Sequence, residues 1–370
     1  MKILLAPDKF KGSLSSFAVC EALKKGLSAV QQNIKFMECP MADGGDGFAS
    51  VMQYYLDTTS ISCATTDPIG RSINSTYQWK DSTKTAIIEM AAASGLVLLR
   101  EKEKNPLVTS TFGTGLLFLD AIKRGARKII LGVGGSATND GGTGVLAALG
   151  FEFLDEHNQP LSPCGGNLTQ IKAIHIPELK MLPEIDVAAD VQNMMYGEQG
   201  AAYIYGPQKG ADEKMVKQLD NGLRNFARVI ELQTGKNISN VPGGGAAGGI
   251  VAGLLAFLNV KLRKGVELIA KAAAIEEKMA DADLAITGEG RIDDQSGEGK
   301  VVGYIAQLAK KYAKPCMAIC GMASAPEVLA SQLNLRKIVS LTGEGVSAGY
   351  AMKNANKLIE IKAQEFLVNH

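Results

Sequence analysis

Histidine is scarce in this chain: three among 370 residues, His157, His175 and His370, none beside a motif. That scarcity excludes Ser-His-Asp acyl transfer for want of the base, and it argues against a histidine zinc site. The six cysteines, Cys20, Cys39, Cys63, Cys164, Cys316 and Cys320, show no C-x-x-C spacing and read as reduced core residues. Long apolar runs are missing too. Only four apolar residues, Ile3 to Ala6, follow Lys2 before Pro7 and Asp8, which predicts neither signal peptide nor membrane span and a cytoplasmic protein. A formal net charge of +1, with no helix carrying a basic face, gives no general attraction to nucleic acid or to an anionic membrane.

Glycine is plentiful: 41 of 370 residues, against a usual ~7%, and concentrated in motifs. The stretch 128–144, KIILGVGGSATNDGGTG, opens with a short apolar run suited to a buried strand and passes through a glycine-rich loop into a helical stretch, 145–150. Glycines let the backbone approach an anion, and the N–H groups of a helix start supply donors. Beside Gly134 and Gly135, five polar side chains, Ser136, Thr138, Asn139, Asp140 and Thr143, give this loop more polar equipment than a tight turn needs. Two other readings stay open. One is a degenerate dinucleotide fingerprint, Gly132-x-Gly134-x-x-Ala137, with Asp155 as its distant acid; the other is a plain strand-to-helix turn.

Taken in order, 2–6 reads as a strand, 7–13 as a polar loop, and 15–30 as a helix. A second strand, 35–39, runs into MADGGDG, where Asp43 and Asp46 among three glycines suit a hard cation such as Mg²⁺ or a set of hydroxyls; capping aspartates in an ordinary turn are the alternative. Residues 72–80 and 85–90 form a hairpin that breaks the β-α rhythm, and a helix over 115–123 leads into the 129–131 strand. Further on, the run 185–189 ends at Asp190, a Gly-Pro loop carries Lys209, and PGGGAAGG (242–249) precedes an apolar helix, 250–258. The last third restores alternation: a strand over 283–287 into a loop with Gly288, Glu289, Arg291 and Asp293, a helix over 301–312, and strands over 315–320 and 337–341. The pattern is α/β: a Rossmann/flavodoxin-like parallel-sheet domain made from both chain ends, 1–62 plus 264–370, with a mixed α/β domain, 63–263, inserted in it. Ligands of such sheets bind beyond the carboxyl ends of the strands. Asp8, Asp43, Glu289 and Asp293 are expected there, with the 132–142 loop, Asp190 and Lys209 of the inserted domain completing an interdomain cleft.

Carboxylates, lysines and one arginine in glycine-rich loops suit phosphoryl transfer, which asks for positioning, charge neutralisation and one carboxylate at the attacking hydroxyl. No Walker A motif is present; the nearest string, 297–301, lacks the hydroxyl residue and the loop length. The protein-kinase signature set is absent as well.

Six motifs, APDKFKGSLS (6–15), MADGGDG (41–47), GVGGSATNDGG (132–142), GPQKGA (206–211), PGGGAAGG (242–249) and TGEGRIDDQS (287–296), occur in this order and span nearly the whole chain. Together they closely resemble the bacterial glycerate kinase family of glyoxylate and galactarate catabolism. Lys9, Ala189 and the string Asn193-Met194-Met195 depart from that family's pattern. The resemblance implies ATP-dependent phosphorylation of D-glycerate with Mg²⁺, 2-phosphoglycerate being favoured over 3-phosphoglycerate, by a monomer or homodimer. In that reading Asp190 or Asp293 takes the hydroxyl proton, and Asp43 and Asp46 hold Mg²⁺ or the diol. Lys11, Lys209 and Arg291 neutralise the phosphoryl group or grip the carboxylate. Gly134, Gly135, Ser136, Thr138 and Asn139 cradle phosphates or substrate, with Asp8, Ser13, Gly288 and Glu289 as further binding positions. A hydroxy-acid dehydrogenase and a non-catalytic sugar-acid sensor are the rival readings.

Overall fold

The computed structural model describes residues 1–45, 47–178, 182–297, 300–343 and 345–367. The chain divides into two compact units, one of residues 1–43 and 264–370, the other of residues 44–263. In chain order, β1 (Lys2–Pro7) and β2 (Lys35–Glu38) belong to the first unit. The second holds β3 (Thr59–Thr66), β4 (Ser72–Lys80), β5 (Thr85–Glu89), β6 (Lys128–Gly132), β7 (Glu152–Leu154), β8 (Ala173–His175), β9 (Glu184–Ala188) and β10 (Val260–Arg263). The chain then returns to the first unit with β11 (Leu284–Ile292), β12 (Cys316–Ala323) and β13 (Lys337–Ser340).

In the first unit the sheet order is β13-β12-β11-β1-β2, every pairing parallel. Counted along the unit this is 2-1-3-4-5, an order found in doubly wound sheets. Strands buried on both faces must be apolar throughout; Ile3, Leu5, Leu284, Ile286 and Ile319 accordingly form its core with Leu23 and Leu27 of the helix Ser16–Val30. That helix begins where Ser15 accepts a hydrogen bond from the Ala18 N–H at 3.3 Å.

β11 does not stop at Thr287, as the sequence pattern suggested. It continues through Gly288, Glu289, Gly290 and Arg291 beside an equally extended β12, up to Ile292 opposite Ala323. The glycines make this close pairing possible: a Cβ at Gly288 would stand 2.4 Å from the Ile319 carbonyl oxygen, and one at Gly321 2.5 Å from that of Gly290. A segment read as a loop is thus part of the sheet, and its side chains take fixed directions.

The second unit has a six-stranded sheet, β10-β9-β6-β5-β4-β3, parallel from β10 to β5 and antiparallel from β5 to β3. The 72–90 hairpin stands as read. Residues 44–62, which strand rhythm assigned to the first domain, lie in the second unit: the helix Phe48–Tyr55 buries Phe48, Val51 and Met52 there, and β3 pairs along its whole length with β4. The longest helix, Glu213–Thr234, starts at an Asp212 cap and buries Val216, Leu219, Leu223, Phe226 and Ile230. Among the described residues no helix is long and apolar enough to cross a membrane.

Candidate active site

Neighbouring strands of the first unit bring three carboxylates together. Asp8 follows β1, Asp43 follows β2 and Glu289 lies in β11, so adjacency in the sheet order places all three at its carboxyl edge. They line one cavity of 350 Å³ with Lys11, Arg291 and Lys300. Asp8 and Glu289 are only 6% and 7% exposed. Burial pushes the Asp8 carboxyl well above its ordinary range, the Asp43 charge adds to the rise, and Lys9 opposes it. Glu289 is pushed up to about 7, chiefly by burial, against the Ser296 hydroxyl and Lys300. Its Oε1 is buried with no hydrogen-bond partner among the described residues.

The remaining expected residues of this unit divide by role. Asp293 lies 3.6 Å from Arg291 Nε and 3.7 Å from Lys300 Nζ, and its N–H donates to Ser296 Oγ. Gly288 accepts the Asp8 N–H through its carbonyl at 2.8 Å. Ser13 donates its hydroxyl to the Met352 carbonyl at 2.6 Å and so ties the first loop to the helix Ala348–Lys353. Asp46 lies outside the described residues. Among those described, no group of three or more His, Cys, Asp or Glu side chains is arranged to hold a metal ion by itself.

In the second unit the loop after β6 differs from the expected cradle. The helix that follows, Thr143–Ala148, has only six residues, and its first amides are already used. Asp140, fully buried, accepts from the N–H groups of Gly142 and Gly144 and from both N–H and Oγ1 of Thr111. Thr111 Oγ1 in turn accepts from the Val145 N–H at 3.0 Å. A buried carboxylate therefore occupies the place proposed for a phosphate at this helix start, and the loop's free polar atoms lie before it. Thr138 Oγ1 and both amide atoms of Asn139 are buried without partners among the described residues.

Lys209 is the buried cation of this loop. It is 1% exposed and donates to Ser136 Oγ at 3.0 Å and to the Thr138 carbonyl at 2.7 Å. Burial lowers its amine to about 7, with the Asp140 charge acting the other way. PGGGAAGG accounts for the loop's close seating. A Cβ at Gly248 would lie 2.2 Å from the Thr138 oxygen, and, in the helix after this run, one at Gly253 would lie 1.8 Å from the Gly141 oxygen. Gly245 of the same run donates its N–H to the Asn193 carbonyl, just beyond the half-buried Asp190 at the end of β9. Gly134 and Gly135 adjoin: a Cβ at Gly134 would sit 2.2 Å from Gly45 Cα, and Gly135 has φ +71°.

The dinucleotide reading fails here. After the short helix the chain enters β7, which pairs antiparallel with β8, and Asp155 is the acceptor of an exposed turn for the N–H groups of His157 and Gln159. Lys300, like Lys9 and Thr342, lines the first unit's cavity without having stood out in the sequence as a site residue. Its only signal was its place just ahead of the helix Val301–Lys311, within the string dismissed as a failed Walker motif.

Fold and site together define an α/β protein whose parallel-sheet unit carries a buried carboxylate cluster ringed by cations, a class suited to phosphorylated ligands. The chain belongs to the glycerate kinase family, whose model matches residues 3–368. It is 40% identical to the glycerate kinase of Halalkalibacterium halodurans, the match covering 99% of this chain and 97% of that one. It is 44% identical to the glycerate 2-kinase of Escherichia coli K12, over 87% and 85% of the two chains. A solved chain from Salmonella typhimurium LT2, provisionally named glycerate kinase 2, superposes with a TM-score of 0.83 at 37% identity, covering 99% of this chain and 97% of that one.

Proposed function

We propose that this protein phosphorylates D-glycerate with ATP and that the product is 2-phosphoglycerate. The observation that carries the reading is the buried cluster of Asp8, Asp43 and Glu289 beside Lys11, Arg291 and Lys300. The relative named glycerate 2-kinase supports the choice of hydroxyl. The first unit is read as a Rossmann/flavodoxin-like domain, and the protein as cytoplasmic.

Mg²⁺ fits the chemistry of these donors. The ion takes one or two carboxylates and fills its remaining positions with water and phosphate oxygens, and burial, with the Asp43 charge adding to it, raises Asp8 and Glu289 in a way that a nearby cation opposes. Asp43 and Glu289 would hold it, with Asp46 as the further sequence candidate; bound there, it would neutralise phosphate charge. Lys11 and Arg291 stabilise the charge of the transferring phosphoryl group. Asp190 or Asp293 accepts the proton of the attacking hydroxyl. Lys209 acts as a positioning residue: its two hydrogen bonds hold Ser136 and Thr138 in place. The unpartnered groups of Thr138 and Asn139 then meet the polar substrate.

ADP release is the direct test. With ATP and Mg²⁺, release should depend on D-glycerate and stay at background with D-lactate, which lacks the second hydroxyl. Equal release with and without D-glycerate would contradict the proposal.

A further inference from the structure

We infer that the cavity of the first unit is the nucleoside site of the phosphoryl donor, with base and ribose against an apolar wall under β12 and β13. This rests on the kinase reading above and adds which surface takes the nucleotide. The argument is the way polarity is distributed across the sheet. Most of the charged lining, Asp8, Lys11, Asp43, Glu289 and Arg291 among it, comes from the ends of β1, β2 and β11, and Lys300 from just before the helix Val301–Lys311. The apolar lining comes chiefly from the other side of the sheet order: Met322 in β12, Leu341 after β13, and Ala348, Ala351 and Met352 of the helix Ala348–Lys353.

Glycerate has no use for such a wall. It is a three-carbon acid whose oxygens face every direction, and the cavity's 350 Å³ far exceeds it. A nucleotide has the matching division, a flat, weakly polar base at one end and phosphates at the other, and ligand pockets of this kind combine an apolar lining with a few placed charges. The alanines at 348 and 351 leave the wall shallow, which suits a planar ring. Ser13, hydrogen-bonded to the Met352 carbonyl, anchors the wall to the loop that carries Asp8 and Lys11. Phosphates reaching from a base on this wall toward β11 and β1 meet Lys300, Arg291 and Lys11, the cations that phosphate recognition needs.

The test is a titration of the full-length protein with a fluorescent N-methylanthraniloyl ADP, displaced by ADP, in wild type and in Ala348→Trp and Met352→Glu. Both positions are exposed, so the substitutions leave the core alone. ADP affinity is expected to fall at least tenfold in each variant while KM for D-glycerate stays within twofold. Unchanged ADP affinity in folded variants, or a raised glycerate KM with ADP affinity intact, overturns the assignment. A second measurement needs no variant. Met322 and Met352, 37% and 50% exposed, should be shielded from peroxide oxidation by saturating ADP, and oxidation at the apo rate in both contradicts the site. A wild type that turns over glycerate without this shielding refutes only the placement. A wild type with neither turnover nor ADP binding refutes the kinase reading as well.

Discussion

Glu289 reverses the usual behaviour of a protein carboxylate. Its folded state holds the proton up to about pH 7, whereas an ordinary glutamate releases it near 4.5. Between those values the folded protein binds more protons than the unfolded chain, so this group's contribution to stability falls as pH rises. The shift corresponds to roughly 3 kcal/mol across that window. Asp8 moves in the same direction. Glu289→Gln is therefore expected to gain on wild type between pH 5 and pH 8 by up to about 3 kcal/mol in urea denaturation. Parallel stability curves would show that Glu289 ionises as an ordinary glutamate does. Lys209 makes a second prediction at this scale. Lys209→Met removes two hydrogen bonds from the loop but also an amine whose charged form burial opposes. It should lower kcat at least tenfold while ADP affinity stays within twofold. A change confined to ADP affinity would give Lys209 a direct role on the nucleotide.

At the scale of elements, the loop after β6 is an internally tied unit. Asp140 gathers three backbone N–H groups and the Thr111 hydroxyl, and Asp140→Ala leaves buried donors unsatisfied at about 1–3 kcal/mol each. A loss of more than about 3 kcal/mol in chemical denaturation is expected; a loss below about 1 kcal/mol would mean that water replaces the carboxylate. This loop also shows where sequence reading ends. Its glycines and polar residues stood out at once, but which acceptor takes the helix-start amides depends on Thr111, far away in the chain. The same holds for β11: Thr287-Gly288-Glu289-Gly290 has the composition of a loop, and only pairing with β12 makes it a strand. β3 escaped notice because its serines and threonines bury little more than Cys63 and Thr65. The helix Glu213–Thr234, by contrast, had a readable Asp212 cap and apolar period; carrying no chemical motif, it drew no attention.

At the scale of the whole chain, what was legible followed from local physics. Short buried strands with polar loops at their carboxyl ends give a parallel sheet built from both chain ends, and Asp8, Asp43 and Glu289 meet in the cavity at its edge. The division at residue 43 was not legible, because the helix Phe48–Tyr55 looks alike in either unit until its packing partners are known. The apolar wall left no trace in sequence, since Met322, Leu341 and Ala348 belong to three separate elements. The account as a whole stands on one reaction. The measurement is a coupled assay with D-glycerate, ATP and Mg²⁺, read as NADH loss through enolase, pyruvate kinase and lactate dehydrogenase, first without phosphoglycerate mutase and then with it. NADH loss above the no-glycerate control, without mutase, is the predicted result and means 2-phosphoglycerate. A signal only with mutase would contradict the choice of hydroxyl, and none in either case would contradict the kinase itself.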